Sequence, residues 1–227
     1  MTEQDLAADP DRPVVIEVWS DLGCPWCYVG RHRLQQAVAN RPDAERFVVR
    51  LRSFELHPGA PRTPETIERA FTRAHGGDAE AVLEAERRIQ ALAHAEGLPF
   101  SLERLNASTS DYHRVAHYAD EAGAGLAFSS VVQDRFFAGE INPFDPGALA
   151  QVAEELGLSG RRVREVLAGD AYADAVLADV REGRELGIRG VPFTVVDRRL
   201  AASGAQSVGT YAQMLDQAVG TGSAGAA

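Results

Sequence analysis

The two cysteines of this chain, Cys24 and Cys27, sit three apart in Cys24-Pro25-Trp26-Cys27. A ring closed over so short a loop constrains the unfolded chain very little, so the pair is no structural staple. Two chemistries use this spacing: metal ligation and thiol–disulfide exchange. Zinc needs two further ligands, and no third cysteine exists. His113 and His117 share a helical face, but Asp111-Tyr112-His113-Arg114-Val115-Ala116-His117 lacks the glutamate of the zinc-protease helix motif. No metal is therefore expected, and the two histidines read as helix-surface or cleft residues near substrate. Exchange fits better. A thiol at a helix start meets free N–H groups and the positive end of the dipole, which favour thiolate and bring its pKa below the ~8.5 of free cysteine. Pro25 suits the first helical position, where its missing N–H is no loss. Cys24 is thus assigned as an exposed nucleophile and Cys27, one turn on, as the shielded resolving thiol.

The elements that must hold this pair are legible around it. Val14-Val15-Ile16-Glu17-Val18-Trp19 is a β-branched run ending in the turn cluster Ser20-Asp21-Leu22-Gly23. After the cysteines, Val29, Leu34, Ala37 and Val38 recur at helical spacing until Asn40-Arg41-Pro42. Residues 47–54 return to strand character, which gives strand–helix–strand. From about Thr63 to Gly187 the pattern predicts only helices, over 64–75, 78–96, 110–122, 126–138, 146–157, 160–168 and 172–187. Phe128, Val131, Val132, Phe136 and Phe137 are expected to form their core. Sheet character resumes at 191–197 and 200–203, and Ser207 is placed to cap a last helix.

A second motif opens that late sheet segment. In Gly190-Val191-Pro192-Phe193 the proline heads a strand, where an N–H can be spared. On the residues alone, both a trans and a cis Val191–Pro192 bond remain open. Pro25 and Trp26, together with Val191 and Pro192, are the residues expected to meet substrate.

Composition narrows the partners. The chain is 45% hydrophobic and 25% charged, which is the balance of a water-soluble globular protein. A net charge of −10 without a basic cluster argues against nucleic acid and anionic membranes. No apolar run nears the ~18 residues of a membrane span. The N-terminus lacks secretory-signal character, so a cytoplasmic location is expected. The expected division is 13–62 and 188–219 as two halves of one sheet domain and 63–187 as a helical insertion, with 1–12 and 220–227 as flexible ends.

Ser20-Asp21-x-x-Cys24-Pro25-Trp26-Cys27-Tyr28-x-Gly30, followed much later by Gly187-Ile188-x-Gly190-Val191-Pro192-Phe193, resembles the DsbA family of the thioredoxin superfamily. More narrowly it is similar to the cytoplasmic FrnE-like branch, which Phe54-Glu55-Leu56, His113-Arg114 and Ser203-Gly204-Ala205-Gln206 also fit. The resemblance spans about residues 13–219. It implies an α/β thioredoxin fold (βαβ…ββα) with a large all-helical insertion. It also implies a Cys24–Cys27 pair cycling between dithiol and disulfide, and a cis proline at Pro192 facing it. The expected activity is that of a protein disulfide oxidoreductase acting on a thiol or disulfide substrate, protein or small molecule. No cofactor is expected, and glutathione stands as a candidate redox partner. Periplasmic members carry a histidine where this chain has Trp26; indole cannot supply its charge, so strong oxidising power does not follow. Oxidase, reductase and isomerase directions stay open, as do monomer and homodimer.

Two rival functions belong to other classes. One is a glutathione-dependent isomerase or transferase of the 2-hydroxychromene-2-carboxylate isomerase or kappa type, where a serine generally replaces the first cysteine. Both cysteines being present argues against it. The other is a client-binding chaperone module using the helical block, for which no exposed apolar tract is evident.

Overall fold

A computed structural model describes residues 12–76 and 79–223. Its centre is a four-stranded sheet of order β2-β1-β5-β6, formed by β1 (Val14–Ser20), β2 (Phe47–Ser53), β5 (Phe193–Val196) and β6 (Leu200–Ser203). β1 pairs parallel with β2, from Val14↔Phe47 to Ser20↔Ser53, and antiparallel with β5, from Ile16↔Val196 to Trp19↔Phe193. A central strand is covered on both faces, which is why Val14–Trp19 reads as a continuous apolar run rather than an alternation.

On one face, Val14, Ile16 and Val18 pack with Leu34 and Ala37 of α1 (Pro25–Ala39) and with Tyr211, Leu215 and Ala218 of α9 (Val208–Ser223). On the other face Trp19 is fully buried and donates its indole N–H to Asp179 O at 3.0 Å, in α8 (Ala173–Glu185). α8 comes this close because Gly183 has no side chain: a Cβ there would lie 3.0 Å from the Trp19 ring. Glu17 shares that face, buried and ion-paired with Arg52 and Arg198.

Between β2 and β5 the chain forms α2 (Ile67–His75), α3 (Ala79–Ala95), α4 (Ser110–Glu121), α5 (Gly125–Ala138), α6 (Pro146–Glu155) and α7 (Gly160–Ala168), then α8. Phe128, Val132, Phe136 and Phe137 of α5 lie at the heart of this block, as expected, with Val131 partly buried against them. Each fully buried phenylalanine side chain contributes about 2–3 kcal/mol. Leu22, Tyr28 and Val29, from the cysteine turn and α1, belong to the same core. The helical block is therefore packed directly on the segment that carries the cysteines.

Four expectations are corrected. The block is not wholly helical: β3 (Glu65–Thr66) pairs antiparallel with β4 (Leu105–Asn106), a ladder too short to leave a period in the sequence. Thr66 instead caps α2, its hydroxyl accepting from Arg69 N–H. The fifth strand is shorter than 191–197, because it starts after Pro192 and ends before Asp197, whose φ of +52° belongs to a turn. At the C-terminus α9 runs to Ser223, so residues 220–223 are helical rather than a loose end. Arg12, placed in the other flexible end, is held by Asp197 at 2.6 Å. The remainder of those two ends, 1–11 and 224–227, lies outside the described residues.

Candidate active site

The site begins where β1 hands over to α1. Cys24 is the N-cap, extended at φ −80° and ψ 113°, with Pro25 opening the helix behind it. Its Sγ accepts the Cys27 backbone N–H at 3.3 Å, in the manner of an N-cap oxygen, and donates to Val191 O at 3.5 Å. Both thiols are free. The Val191–Pro192 bond is cis. The motifs at 24–27 and 191–192 are thus brought together across the sheet, although 167 residues separate Cys24 from Val191.

Cys24 is not the openly exposed group the sequence suggested. It is 3% exposed, with the Val191 carbonyl 3.5 Å from its sulfur, but it lines a cavity of about 550 Å³. Cys27 is 1% exposed behind it. Burial, then the Cys24 thiol beside it, pushes the Cys27 thiol well above the usual range, against opposing hydrogen bonds from the Asp21 backbone and Ser20. Pro25 also lines the cavity, while Trp26 projects outward, 43% exposed.

Pro192 packs against the cysteine helix at Gly30. A Cβ added there would meet Pro192 Cγ at 3.0 Å and Ala205 Cβ at 3.3 Å. A proline ring cannot swing aside, so overpacking, about 1–3 kcal/mol, outweighs the ~0.5–1 kcal/mol that a helix gains from Gly→Ala. Gly30→Ala should lower the urea midpoint by the equivalent of about 1 kcal/mol. A midpoint equal to or above that of the parent chain would mean that the Pro192 loop yields freely.

Beneath the cysteine turn lies a buried polar layer. Asp21 is 4% exposed; it accepts from Leu56 N–H at 2.9 Å and pairs with His113 Nε2 at 3.2 Å. Burial pushes its carboxyl up, but the hydrogen bond and charge of His113, with Leu56 and Thr109, outweigh that and hold it below the ordinary carboxylate range. Gln133 of α5 reaches the Asp21 and Leu22 carbonyls at 3.5 Å and accepts from Arg31 Nε at 2.9 Å. Glu55, beside this layer, is pushed up by burial.

Of the two histidines expected on the helix surface or in a cleft, His113 is buried and His117 partly buried, and both line a small cleft behind the cysteine turn. His113 is 3% exposed under the site, and His117 pairs with Asp179 at 3.1 Å and with Ser53 at 3.2 Å. Sequence reasoning missed Asp21, Arg31 and Gln133 as parts of the site. Asp21 looked like turn punctuation, and Gln133 lies in an aromatic helix with nothing to single it out. Among the described residues no group of three or more His, Cys, Asp or Glu could hold a metal ion. Nor is any described helix long and apolar enough to cross a membrane.

A strand–Cys-x-x-Cys–helix unit facing a proline loop, inside a sheet interrupted by helices, defines a thioredoxin-class protein. Residues 15–216 match the DSBA-like thioredoxin domain, and the chain belongs to that family. A probable DsbA oxidoreductase from Streptomyces coelicolor is 40% identical, with a TM-score of 0.84 over 91% of this chain and 90% of its own. The Bacillus subtilis (strain 168) protein YwbO is 27% identical over 188 residues, 81% of this chain and 86% of its own. The fold is also that of the cytosolic disulfide reductase DsbM from Pseudomonas aeruginosa, solved with GSH. That structure is 19% identical, with a TM-score of 0.58 over 91% of this chain and 96% of its own.

Proposed function

We propose that this protein is a thiol–disulfide oxidoreductase of the FrnE-like branch, working in the cytoplasm through a Cys24–Cys27 dithiol. The observation that carries the reading is the asymmetry of the pair. Cys24 is an N-cap thiol on a cavity wall, whereas Cys27 lies behind it with its thiol pushed well up.

In the reducing direction the Cys24 thiolate attacks one sulfur of a substrate disulfide. A Cys24–substrate bond forms, and the other half leaves as a thiolate that takes a proton. Cys27, losing its proton, then attacks Cys24 Sγ and releases the second thiol. Two electrons pass from the dithiol to the substrate, and two molecules of a low-molecular-weight thiol such as glutathione restore the dithiol, leaving as their own disulfide. In the first step the helix N-terminus offsets the charge on Cys24. The Val191 carbonyl, relieved of the Cys24 S–H, becomes free to accept from substrate, and exposed Trp26 offers it an apolar contact.

The role assignment is tested by brief iodoacetamide treatment of the reduced protein followed by peptide mapping. Cys24 should carry most of the label and Cys27 little, and mild oxidation should remove both free thiols together. Equal labelling, or faster labelling of Cys27, overturns the assignment.

A further inference from the structure

Before Cys27 can attack Cys24 Sγ it must give up a proton from a site that is 1% exposed. Its hydrogen bonds from the strand end come from the Ser20 hydroxyl and the Asp21 backbone. The Asp21 carboxylate is turned to other partners, His113, Leu56 N–H and Thr109, which hold it below the ordinary range and make it a weak base. A serine hydroxyl can accept from a thiol and donate to a thiolate. It moves a proton only if it can pass one on.

Behind Ser20 lies a small polar cleft lined by Ser20, Ser53, His113, His117, Asp120 and Ser129. Ser20 and Ser53 are register partners on parallel strands, about 4.8 Å apart across the ladder. The free volume of the cleft, about 20 Å³, is room for one water molecule among these polar groups. Ser53 Oγ is 3.2 Å from His117 Nε2, and that nitrogen is 3.1 Å from Asp179, a carboxylate that steadies an imidazolium. His113 is buried against Asp21, whereas His117 reaches solvent.

We propose that Ser20, a water in this cleft, Ser53 and His117 carry the Cys27 proton out to solvent as Cys27 attacks Cys24 Sγ. The proposal rests on the dithiol reading above and adds the path of its proton. The Cys27 proton moves to the Ser20 oxygen while the Ser20 proton passes through water and Ser53 to the imidazole. The Cys27–Cys24 bond forms, the Cys24–substrate bond breaks, and the substrate half leaves as thiolate. His117 then releases its proton to solvent.

The probe is 5,5′-dithiobis(2-nitrobenzoate), mixed in stopped flow with an excess of the reduced full chain. Each probe molecule releases one coloured thiolate when Cys24 attacks and a second when Cys27 resolves the adduct. The first release speeds up with protein concentration and the second, being intramolecular, does not, so the two separate. Ser20→Val and Ser20→Thr share one shape and differ in the hydroxyl. Ser20→Val should slow the second release about tenfold relative to the first, and Ser20→Thr should restore it. His117→Gln can still hydrogen-bond to Ser53 and Asp179 but carries no proton, and should also slow the second release about tenfold relative to the first. Equal rates for the Val and Thr variants overturn the role of Ser20, and an unchanged second release in His117→Gln overturns that of His117. If the parent chain releases no thiolate, the oxidoreductase reading itself falls.

Discussion

Cys24→Ser should lose disulfide exchange by about a thousandfold or more, because the serine hydroxyl is no nucleophile toward sulfur at neutral pH. Cys27→Ser should behave differently. Cys24 keeps its place as N-cap and its attack on substrate, but the group that would displace the bound half is gone. A covalent adduct of Cys24 with one substrate thiol should then accumulate and be seen as a mass increase that dithiothreitol removes. External thiol can still release the adduct, so Cys27→Ser should retain more turnover than Cys24→Ser. Insulin reduction and intact-mass measurement on both variants check this. Full activity in both would end dithiol catalysis for this protein.

How far the sequence carried this reading follows from what kind of signal each part leaves. Strands and long helices leave periods, so β1, α1, α5 and the returning sheet were legible, as was the capping role of Ser207, whose hydroxyl accepts from Thr210 N–H at 3.1 Å. The cysteine pair and Pro192 were legible as motifs, because their chemistry fixes residue type and spacing. The β3–β4 ladder has two residues on each side and leaves neither a period nor a motif. The exposure of Cys24 was misjudged for another reason. A helix start is usually open to solvent, but here a loop distant in sequence lays the Val191 carbonyl against the sulfur. The buried layer of Asp21, His113, Gln133 and Arg31 is assembled from α1, α4, α5 and a turn, so only the tertiary fold reveals it.

That buried layer ties the cysteine turn to the helical block, and the Asp21–His113 pair is its centre. His113→Leu keeps the bulk of the side chain but leaves Asp21 with only Leu56 N–H and Thr109 as partners. Breaking a buried pair by removing one member costs roughly 3–5 kcal/mol; the surviving partners put this case near the lower end, about 3 kcal/mol. The pH dependence follows from the direction of the Asp21 shift. Because its carboxyl is held below the ordinary range in the folded chain, it contributes stability above its unfolded pKa, and that contribution is lost as pH falls through the folded value. In His113→Leu the largest lowering influence is gone, and burial drives the carboxyl up instead. The variant should therefore be least stable relative to the parent near neutral pH, with the gap narrowing on acidification. Asp21→Asn in the same background removes the uncompensated charge, so the double variant should recover part of the loss at neutral pH. Urea unfolding of the three proteins at neutral and acidic pH measures both effects. A gap that is small at neutral pH, or constant between the two, would mean that the pair is not what fastens the cysteine turn to the helices.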